Sequence, residues 1–153
     1  MSPVIEPFIK FECAKEHYDA EACIFWCYDA RFAELYDDFL SVRGFPELKI
    51  DLVRGAGGAQ ALAGEAGPDR AVAESQIAKS IKLHHTDRVI LMVHIDCGGY
   101  GGSKTFGDDH QTEWDHHVAE LAKAAAFVHA EFPAIKEVER WIVDFDGAHK
   151  IEG

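Results

Sequence analysis

The sequence is poor in basic residues and in long apolar runs, and both shortages limit what the protein can do. Its 153 residues include 15 Lys and Arg against 27 Asp and Glu, for a formal net charge of −12 at pH 7. Nucleic-acid binding depends on clustered Lys and Arg, so this balance argues against a nucleic-acid partner. No apolar run approaches the roughly 20 residues of a membrane span, and Met1–Lys10 has no signal-peptide pattern. We therefore expect a cytoplasmic protein that contacts neither nucleic acid nor membrane.

Cysteine is also scarce, with four residues in the chain. In a chain without an export signal, such cysteines are read as free thiols or metal ligands before they are read as disulfides. Hydrophobic residues make up 48% and charged residues 27% of the sequence, which is the composition of a globular protein. The length suits one domain, and no repeat or linker divides it, so we predict a single domain over residues 1–153.

Strand-like apolar runs alternate with helical patterns along the chain. The four runs are Ala22–Cys27, Leu48–Val53, Arg88–His94 and Val138–Phe145. This alternation predicts an α/β fold, with a mostly parallel central sheet flanked by helices. Before the last run, Thr112 and Asp115 suggest a capping box that starts a helix. After it, Asp146-Gly147 predicts a turn and His149–Ile151 a short edge strand.

Three potential metal ligands follow two of the predicted strands. Cys27 ends the first run, while His94 and Cys97 lie at the end of the third. Ligands of parallel sheets bind beyond the carboxyl ends of the strands, near a switch in strand order. Two thiolates and an imidazole suit zinc, and three protein ligands leave a fourth position for water. The alternative is a buried pair of thiols beside a hydrogen-bonded core histidine.

A carboxylate and a guanidinium lie close to the first of these ligands. Asp29 is two residues after Cys27, and Arg31 is two residues further on. A guanidinium keeps a neighbouring carboxylate ionised and fixes its direction. We predict a catalytic or gating role for this pair, against the alternative of a structural ion pair beside the first helix.

The two patterns together resemble the zinc site of the β-class carbonic anhydrases, from about Ala22 to the end of the chain. The shared motif is Cys27-x-Asp29-x-Arg31 followed by His94-x-x-Cys97-Gly98. The resemblance implies a zinc lyase, a carbonate dehydratase, that uses zinc-bound hydroxide to hydrate CO₂ reversibly to bicarbonate and a proton.

The resemblance also implies a role for each matching residue. Cys27, His94 and Cys97 would hold Zn²⁺. Asp29 would accept a hydrogen bond from the zinc-bound hydroxide or ligate zinc itself in a closed form, and Arg31 would draw Asp29 off the metal. Members of this family are built from dimers, so we expect a homodimer or a higher homo-oligomer. The abundance of aromatic residues, with 10 Phe, 3 Trp and 4 Tyr, favours such an interface as well.

The surroundings of the motif differ from the usual pattern of the family. Ala30 stands where Ser is usual, and Arg54-Gly55-Ala56-Gly57-Gly58 stands where Arg-Asn-Ala-Gly-Asn is usual. Two alternatives therefore stay open: hydrolysis of COS or CS₂ on the same zinc site, and a non-catalytic zinc-binding homologue. As residues of the substrate pocket we predict Tyr28, Gly57, Gly58 and Gly98.

The remaining glycines and cysteines have simpler interpretations. The loop at residues 54–58 lacks the spacing of a nucleotide-binding fingerprint, so we expect its glycines to allow close backbone packing beside the zinc. Cys13 and Cys23 are expected to be small buried core residues.

Overall fold

The computed structural model describes Met1, residues 3–45 and residues 49–153, and places a five-stranded sheet at the centre of the protein. The strand order is β2-β1-β3-β4-β5; the first four strands are parallel, and β5 runs antiparallel to β4. The strands are β1 (Ala22–Trp26), β2 (Ile50–Arg54), β3 (Arg88–His94), β4 (Glu137–Asp144) and β5 (Gly147–Lys150). The predicted α/β class and the mostly parallel sheet are thus confirmed. The predicted start of the second strand, Leu48, lies outside the described residues.

In the described part of the chain, four α-helices cover the sheet. They are α1 (Ala33–Arg43), α2 (Gln60–Ala63), α3 (Pro68–His84) and α4 (His110–Glu131). The capping box predicted at Thr112 and Asp115 is wrong. Asp109 caps α4, because its carboxylate accepts hydrogen bonds from the backbone N–H of Thr112 at 2.9 Å and from the Thr112 hydroxyl at 2.5 Å. The first turn of α4 is polar, so the apolar stripe that begins at Trp114 could not reveal it.

Strand β3 is buried on both faces, which explains its nearly continuous apolar sequence. On one face, Val89 and Leu91 pack with residues of α2, α3 and α4. On the other face, Ile90 and Met92 pack with residues of α1. The helices thus form a layer on each side of the sheet, and β3 lies in the middle of the core.

The order of the strands places a switch point between β1 and β3. From β1 the chain crosses to β2 on one side, and from β2 it crosses back past β1 to β3 on the other side. A crevice forms where consecutive connections leave in opposite directions, at the carboxyl ends of the two strands. These are the ends that carry Cys27 and His94.

The first part of the chain, residues 3–17, does not join the core. Residues 3–17 are exposed, and Cys13 is among them, so the prediction that Cys13 is buried is wrong. Cys23 lies in the middle of the core, as predicted, because it is on β1. Within the described part of the chain, no helix is both long enough and apolar enough to cross a bilayer.

Candidate metal centre

Three side chains converge at the switch point between β1 and β3. The ligand atoms of Cys27, His94 and Cys97 lie within 4.8 Å of one another, and all three residues are buried. Cys27 directly follows β1 and His94 is the last residue of β3. Cys97 returns to the same place because the chain turns at Ile95 and Asp96, immediately after β3, where Asp96 has φ +56°. The structure therefore brings together all three residues predicted as zinc ligands.

The orientation of the His94 ring suits a metal ligand. Its Nδ1 lies 2.7 Å from the carbonyl oxygen of Ile95, which requires a proton on Nδ1 and leaves a lone pair on Nε2. Nε2 is buried and has no hydrogen-bond partner among the described residues. Buried polar atoms are seldom left without a partner, and a backbone carbonyl on the second ring nitrogen is the usual support of a metal-bound histidine. The three residues thus fit a zinc ion.

The two thiols are linked in a way that favours a cation. The hydrogen bond from Cys97 lowers the pKa of Cys27 to about 4, against the opposing effect of burial. The same hydrogen bond raises the pKa of Cys97. The two sulfurs are thus placed to share one proton. A divalent cation that displaced this proton would hold both residues as thiolates.

Asp29 and Arg31 form a tight ion pair beside the three ligands. Arg31 Nη2 donates to Asp29 Oδ2 at 2.7 Å, and Arg31 Nε lies 3.1 Å from both carboxylate oxygens. The backbone N–H of Arg31 also donates to Asp29 Oδ1 at 2.9 Å. The hydrogen bonds from Arg31 are the main reason why the pKa of Asp29 falls to about 2. Asp29 Oδ2 lies 3.7 Å from His94 Nε2, so an ionised carboxylate faces the ligand cluster.

A second carboxylate, that of Asp96, holds Arg31, and the sequence pattern did not predict it. Arg31 Nη1 donates to Asp96 Oδ2 at 3.1 Å, and Nη2 donates to the Asp96 carbonyl oxygen at 3.0 Å. The position of Asp96 between His94 and Cys97 was the available signal. However, Arg31 and Asp96 are 65 residues apart, and nothing in the local pattern indicates that they meet.

A cavity of about 580 Å³ opens at this centre. Small side chains and backbone form much of its wall, which consists of Cys27, Tyr28, Asp29, Ala30, Ala56, Gly98 and Gly99. Two of the four residues predicted for the substrate pocket, Tyr28 and Gly98, thus line it, and the other two do not.

Gly57 and Gly58 instead pack against the backbone behind the ligands. Gly58 has φ +57°, and a Cβ there would lie 2.3 Å from the carbonyl oxygen of Met92. A Cβ on Gly99 would lie 2.8 Å from the backbone nitrogen of Gly57. The loops around residues 57 and 99 therefore meet backbone to backbone, as expected for the glycines of the 54–58 loop.

The fold is that of the β-carbonic anhydrases. A carbonic anhydrase from Glaciozyma antarctica aligns with a TM-score of 0.59 at 18% identity, over 89% of this chain and 84% of its own. β-Carbonic anhydrase isoform I from Trichomonas vaginalis aligns with a TM-score of 0.57 at 14% identity, over 93% and 87%. A carbon disulfide hydrolase in its apo form aligns with a TM-score of 0.53 at 14% identity, over 88% and 79%.

The family of the chain is identified from its amino-acid sequence. A family model described as "Putative carbonic anhydrase" matches residues 17–152, and the chain belongs to that family. The resemblance found in the sequence is thus confirmed. A comparison with curated proteins found no match.

Proposed function

We propose that the protein is a zinc-dependent carbonic anhydrase that converts CO₂ and water reversibly to bicarbonate and a proton. The observation that carries this proposal is the convergence of Cys27, His94 and Cys97, with an unpartnered Nε2, beside a carboxylate held by Arg31. These three residues would hold Zn²⁺. When bound, zinc supplies Lewis-acid activation of a water molecule near neutral pH.

Asp29 orients the attacking water. Its carboxylate is ionised, so it accepts hydrogen bonds and cannot donate them. Arg31 occupies both carboxylate oxygens from one side, which leaves Oδ2 directed toward the ligand cluster. A water whose proton is held at Asp29 Oδ2 turns a lone pair away from Asp29, toward a carbon atom in the cavity. Such fixed geometry lowers the barrier because the water need not reorient during the reaction.

The cavity suits a small uncharged substrate. Ala30, Ala56 and Gly98 add little bulk to its wall, and the charged side chain in the wall, Asp29, is paired with Arg31. CO₂ has no net charge, so the net charge of −12 neither attracts nor repels it. In this proposal, bicarbonate leaves through the same opening, and a proton passes to the buffer.

Hydrolysis of COS or CS₂ is the second candidate function. It is favoured by the departures from the usual family pattern at Ala30 and along Gly55–Gly58, next to the cavity, and by the fold similarity to a carbon disulfide hydrolase. Both substrates are linear and uncharged like CO₂, so the same ligands and the same Asp29 would serve.

We also propose that the protein assembles as a homodimer or a higher homo-oligomer. Large apolar side chains are exposed near the start of the chain and beside the candidate metal centre. They are Val4, Ile5, Phe8, Ile9 and Phe11 in the first group, and Tyr28 and Phe145 in the second. Such a concentration of exposed apolar surface is typical of an interface. Sedimentation at low micromolar concentration should show a species heavier than the 17.0 kDa chain, and a pure monomer would contradict the proposal.

Stopped-flow measurement of CO₂ hydration tests the main proposal. The protein is first loaded with zinc, and its zinc content is measured. The rate of CO₂ hydration is then followed at about pH 8.5, in a buffer whose basic form can accept the released proton. Hydrolysis of COS and of CS₂ is assayed in parallel. We expect CO₂ to be the best substrate. Faster turnover of COS or CS₂ would establish the second candidate, and a zinc-loaded protein inactive on all three would be a non-catalytic homologue.

A further inference from the structure

The side chain of Glu113 is a buried carboxylate that the proposed reaction does not use. It lies in the first turn of α4 and is 2% exposed. Its Oε1 accepts a hydrogen bond from the backbone N–H of Asp96 at 2.7 Å, and its Oε2 accepts one from the Ser103 hydroxyl at 2.7 Å. Burying a carboxylate is costly unless it is hydrogen-bonded. Both oxygens of Glu113 are bonded to the segment that carries Cys97.

The residue that Glu113 holds has an unusual backbone conformation. Asp96 has φ +56°, in the left-handed region that few residues other than glycine adopt. Strained backbone of this kind persists only where the surrounding structure holds it. Here Glu113 binds the Asp96 N–H, and Ser103 N donates to Asp96 Oδ1 at 3.0 Å. Asp96 lies between His94 and Cys97, so its conformation decides where Cys97 meets the other ligands.

Asp96 also connects Glu113 to the ion pair beside the ligands. Its side-chain Oδ2 and its carbonyl oxygen both accept from Arg31, at 3.1 and 3.0 Å. Arg31 in turn holds Asp29. The Arg31 side chain is 45% exposed, and besides these bonds its guanidinium lies over the rings of Phe32 and Phe145, at 5.7 and 5.3 Å from their centroids. A continuous series of contacts thus runs from Glu113 through Asp96 and Arg31 to Asp29.

Glu113 is not explained as the partner of a buried cation. The nearest imidazole is that of His117, whose Nε2 is 3.7 Å from Glu113 Oε1. Burial lowers the pKa of His117 to about 4, so this ring is neutral at pH 7. The charge of Glu113 is therefore compensated by the N–H and O–H donors of the 96–103 segment and by the N-terminal end of α4.

We propose that Glu113 is a positioning residue: it fixes Asp96 so that Cys97 faces the metal centre and Arg31 holds Asp29. The inference rests on the proposed function, which gives Asp29 and the three ligands their purpose, and it extends the centre to a helix that contributes no ligand.

Three variants of the 153-residue protein test this role. Glu113→Ala removes both acceptors. Glu113→Gln keeps the acceptor for the Asp96 N–H, and its amide N–H can donate to the Ser103 hydroxyl. The matched control is Glu139→Gln, because Glu139 is also buried, at 4% exposure, but bonds to Arg43 and Trp141 away from the centre. Each variant is measured for Co²⁺ affinity, from the thiolate-to-cobalt absorption, and for the Arg31 Nε–H resonance by NMR.

We expect Glu113→Ala to weaken Co²⁺ binding by about 10- to 100-fold, as for other residues that support metal ligands, and to shift or broaden the Arg31 resonance. Glu113→Gln should restore both readouts, and Glu139→Gln should change neither. The proposal would be overturned if Glu113→Ala kept the wild-type Co²⁺ affinity and the wild-type Arg31 resonance. It would also be overturned if Glu139→Gln lost as much Co²⁺ affinity as Glu113→Ala.

If Glu113→Ala does not fold, a variant of a more exposed residue tests the same connection. The Asp96 side chain is 43% exposed, and Asp96→Asn should shift the Arg31 resonance; an unchanged resonance would overturn the proposal. CO₂ hydration is assayed separately. If the wild-type protein binds Co²⁺ but does not hydrate CO₂, the proposed function is wrong. The Co²⁺ affinity and the Arg31 resonance would still test the role of Glu113.

Discussion

Two polar clusters lie toward opposite ends of the parallel sheet, and they differ in how their atoms are paired. At the carboxyl ends, Cys27, His94 and Cys97 converge and leave a buried His94 Nε2 without a partner among the described residues. Toward the amino ends, on β2, Asp51 accepts from the Tyr18 hydroxyl at 2.8 Å. Asp51 also bonds to the Ser80 hydroxyl at 2.6 Å and to His84 Nδ1 at 2.8 Å.

The difference separates a structural cluster from a ligand site. The partners of Asp51 are Tyr18, which precedes β1, and Ser80 and His84 of α3. The hydrogen bonds of Asp51 therefore join edge strand β2 to the rest of the protein. Buried polar groups that pair with one another need nothing further. The cluster at the carboxyl ends is complete only if something binds the sulfurs and Nε2. The following changes should therefore act differently at the two ends.

The largest effect should follow the loss of a sulfur at the carboxyl end. Replacing Cys97 with Ser removes a thiolate, and we expect the zinc content to fall from about one per chain to background. Elemental analysis of the purified protein measures it. Cys23→Ser is the control, since Cys23 is buried but lies in the core. If Cys97→Ser retained zinc, the cluster at the carboxyl ends of the strands would not be the zinc site.

A backbone change at the same end should destabilise the whole protein. Gly58→Ala places a Cβ 2.3 Å from the carbonyl oxygen of Met92 at a φ of +57°. We expect a loss of about 2–4 kcal/mol in the free energy of unfolding, measured by chemical denaturation. Gly55→Ala in the same loop should be nearly neutral, because a Cβ there meets nothing within 4 Å. Equal losses in both variants would show that the close approach is not the cause.

Removing one charge beside the ligands should affect turnover rather than metal binding. Asp29→Asn keeps the shape of the side chain but loses an acceptor, so we expect zinc to stay bound and kcat to fall by about 10- to 100-fold. Stopped-flow CO₂ hydration with parallel zinc analysis tests this. Asp37→Asn, on the exposed surface of α1, is the control. An unchanged rate in Asp29→Asn would remove Asp29 from the proposed mechanism.

The smallest effect should come from the cluster around Asp51, and it should depend on pH. Burial raises the pKa of Asp51, but the hydrogen bonds from Ser80, His84 and Tyr18 outweigh burial and lower it. A depressed pKa contributes stability above the unfolded value of about 3.9, and this stability is lost as the pH falls through the folded pKa.

Asp51→Asn should therefore cost about 1–2 kcal/mol of the free energy of unfolding at pH 7 and less at acidic pH. Its zinc content should stay that of the wild type. Denaturation curves across pH measure the difference, with Asp19→Asn as the control, because the Asp19 side chain is 80% exposed. A loss that does not depend on pH would mean that the charge of Asp51 does not stabilise the fold.

The central strands could be predicted closely from the sequence, and the small elements could not. The predicted bounds of β3 coincide with the observed bounds, because burial on both faces gives a continuous apolar run. β1 ends one residue earlier than predicted, and β4 begins and ends one residue earlier than predicted. The four residues of α2 are too few to show a helical period. β5 begins at Gly147 rather than His149, because the hairpin pairs Gly147 with Asp144.

The candidate site could be predicted only in part. The ligand types and their places at strand ends follow from the alternation of strands and helices, so the meeting of Cys27, His94 and Cys97 was predicted. The exposure of Cys13 and the bond between Asp96 and Arg31 were not. Each depends on how a loop or segment packs against a distant part of the chain, and local periodicity does not report such packing.

The sequence by itself determined the α/β fold, the family and the residues at the ends of β1 and β3, because hydrophobic periodicity and motif spacing are local properties. Only the tertiary structure decided which donors surround those residues. Glu113 is separated from Asp96 by 17 residues, and Arg31 is separated from it by 65. Both contacts arise because α4 and the segment after β1 pack against the turn that follows β3. That packing holds Asp96 in a left-handed conformation, which costs free energy for any residue with a Cβ.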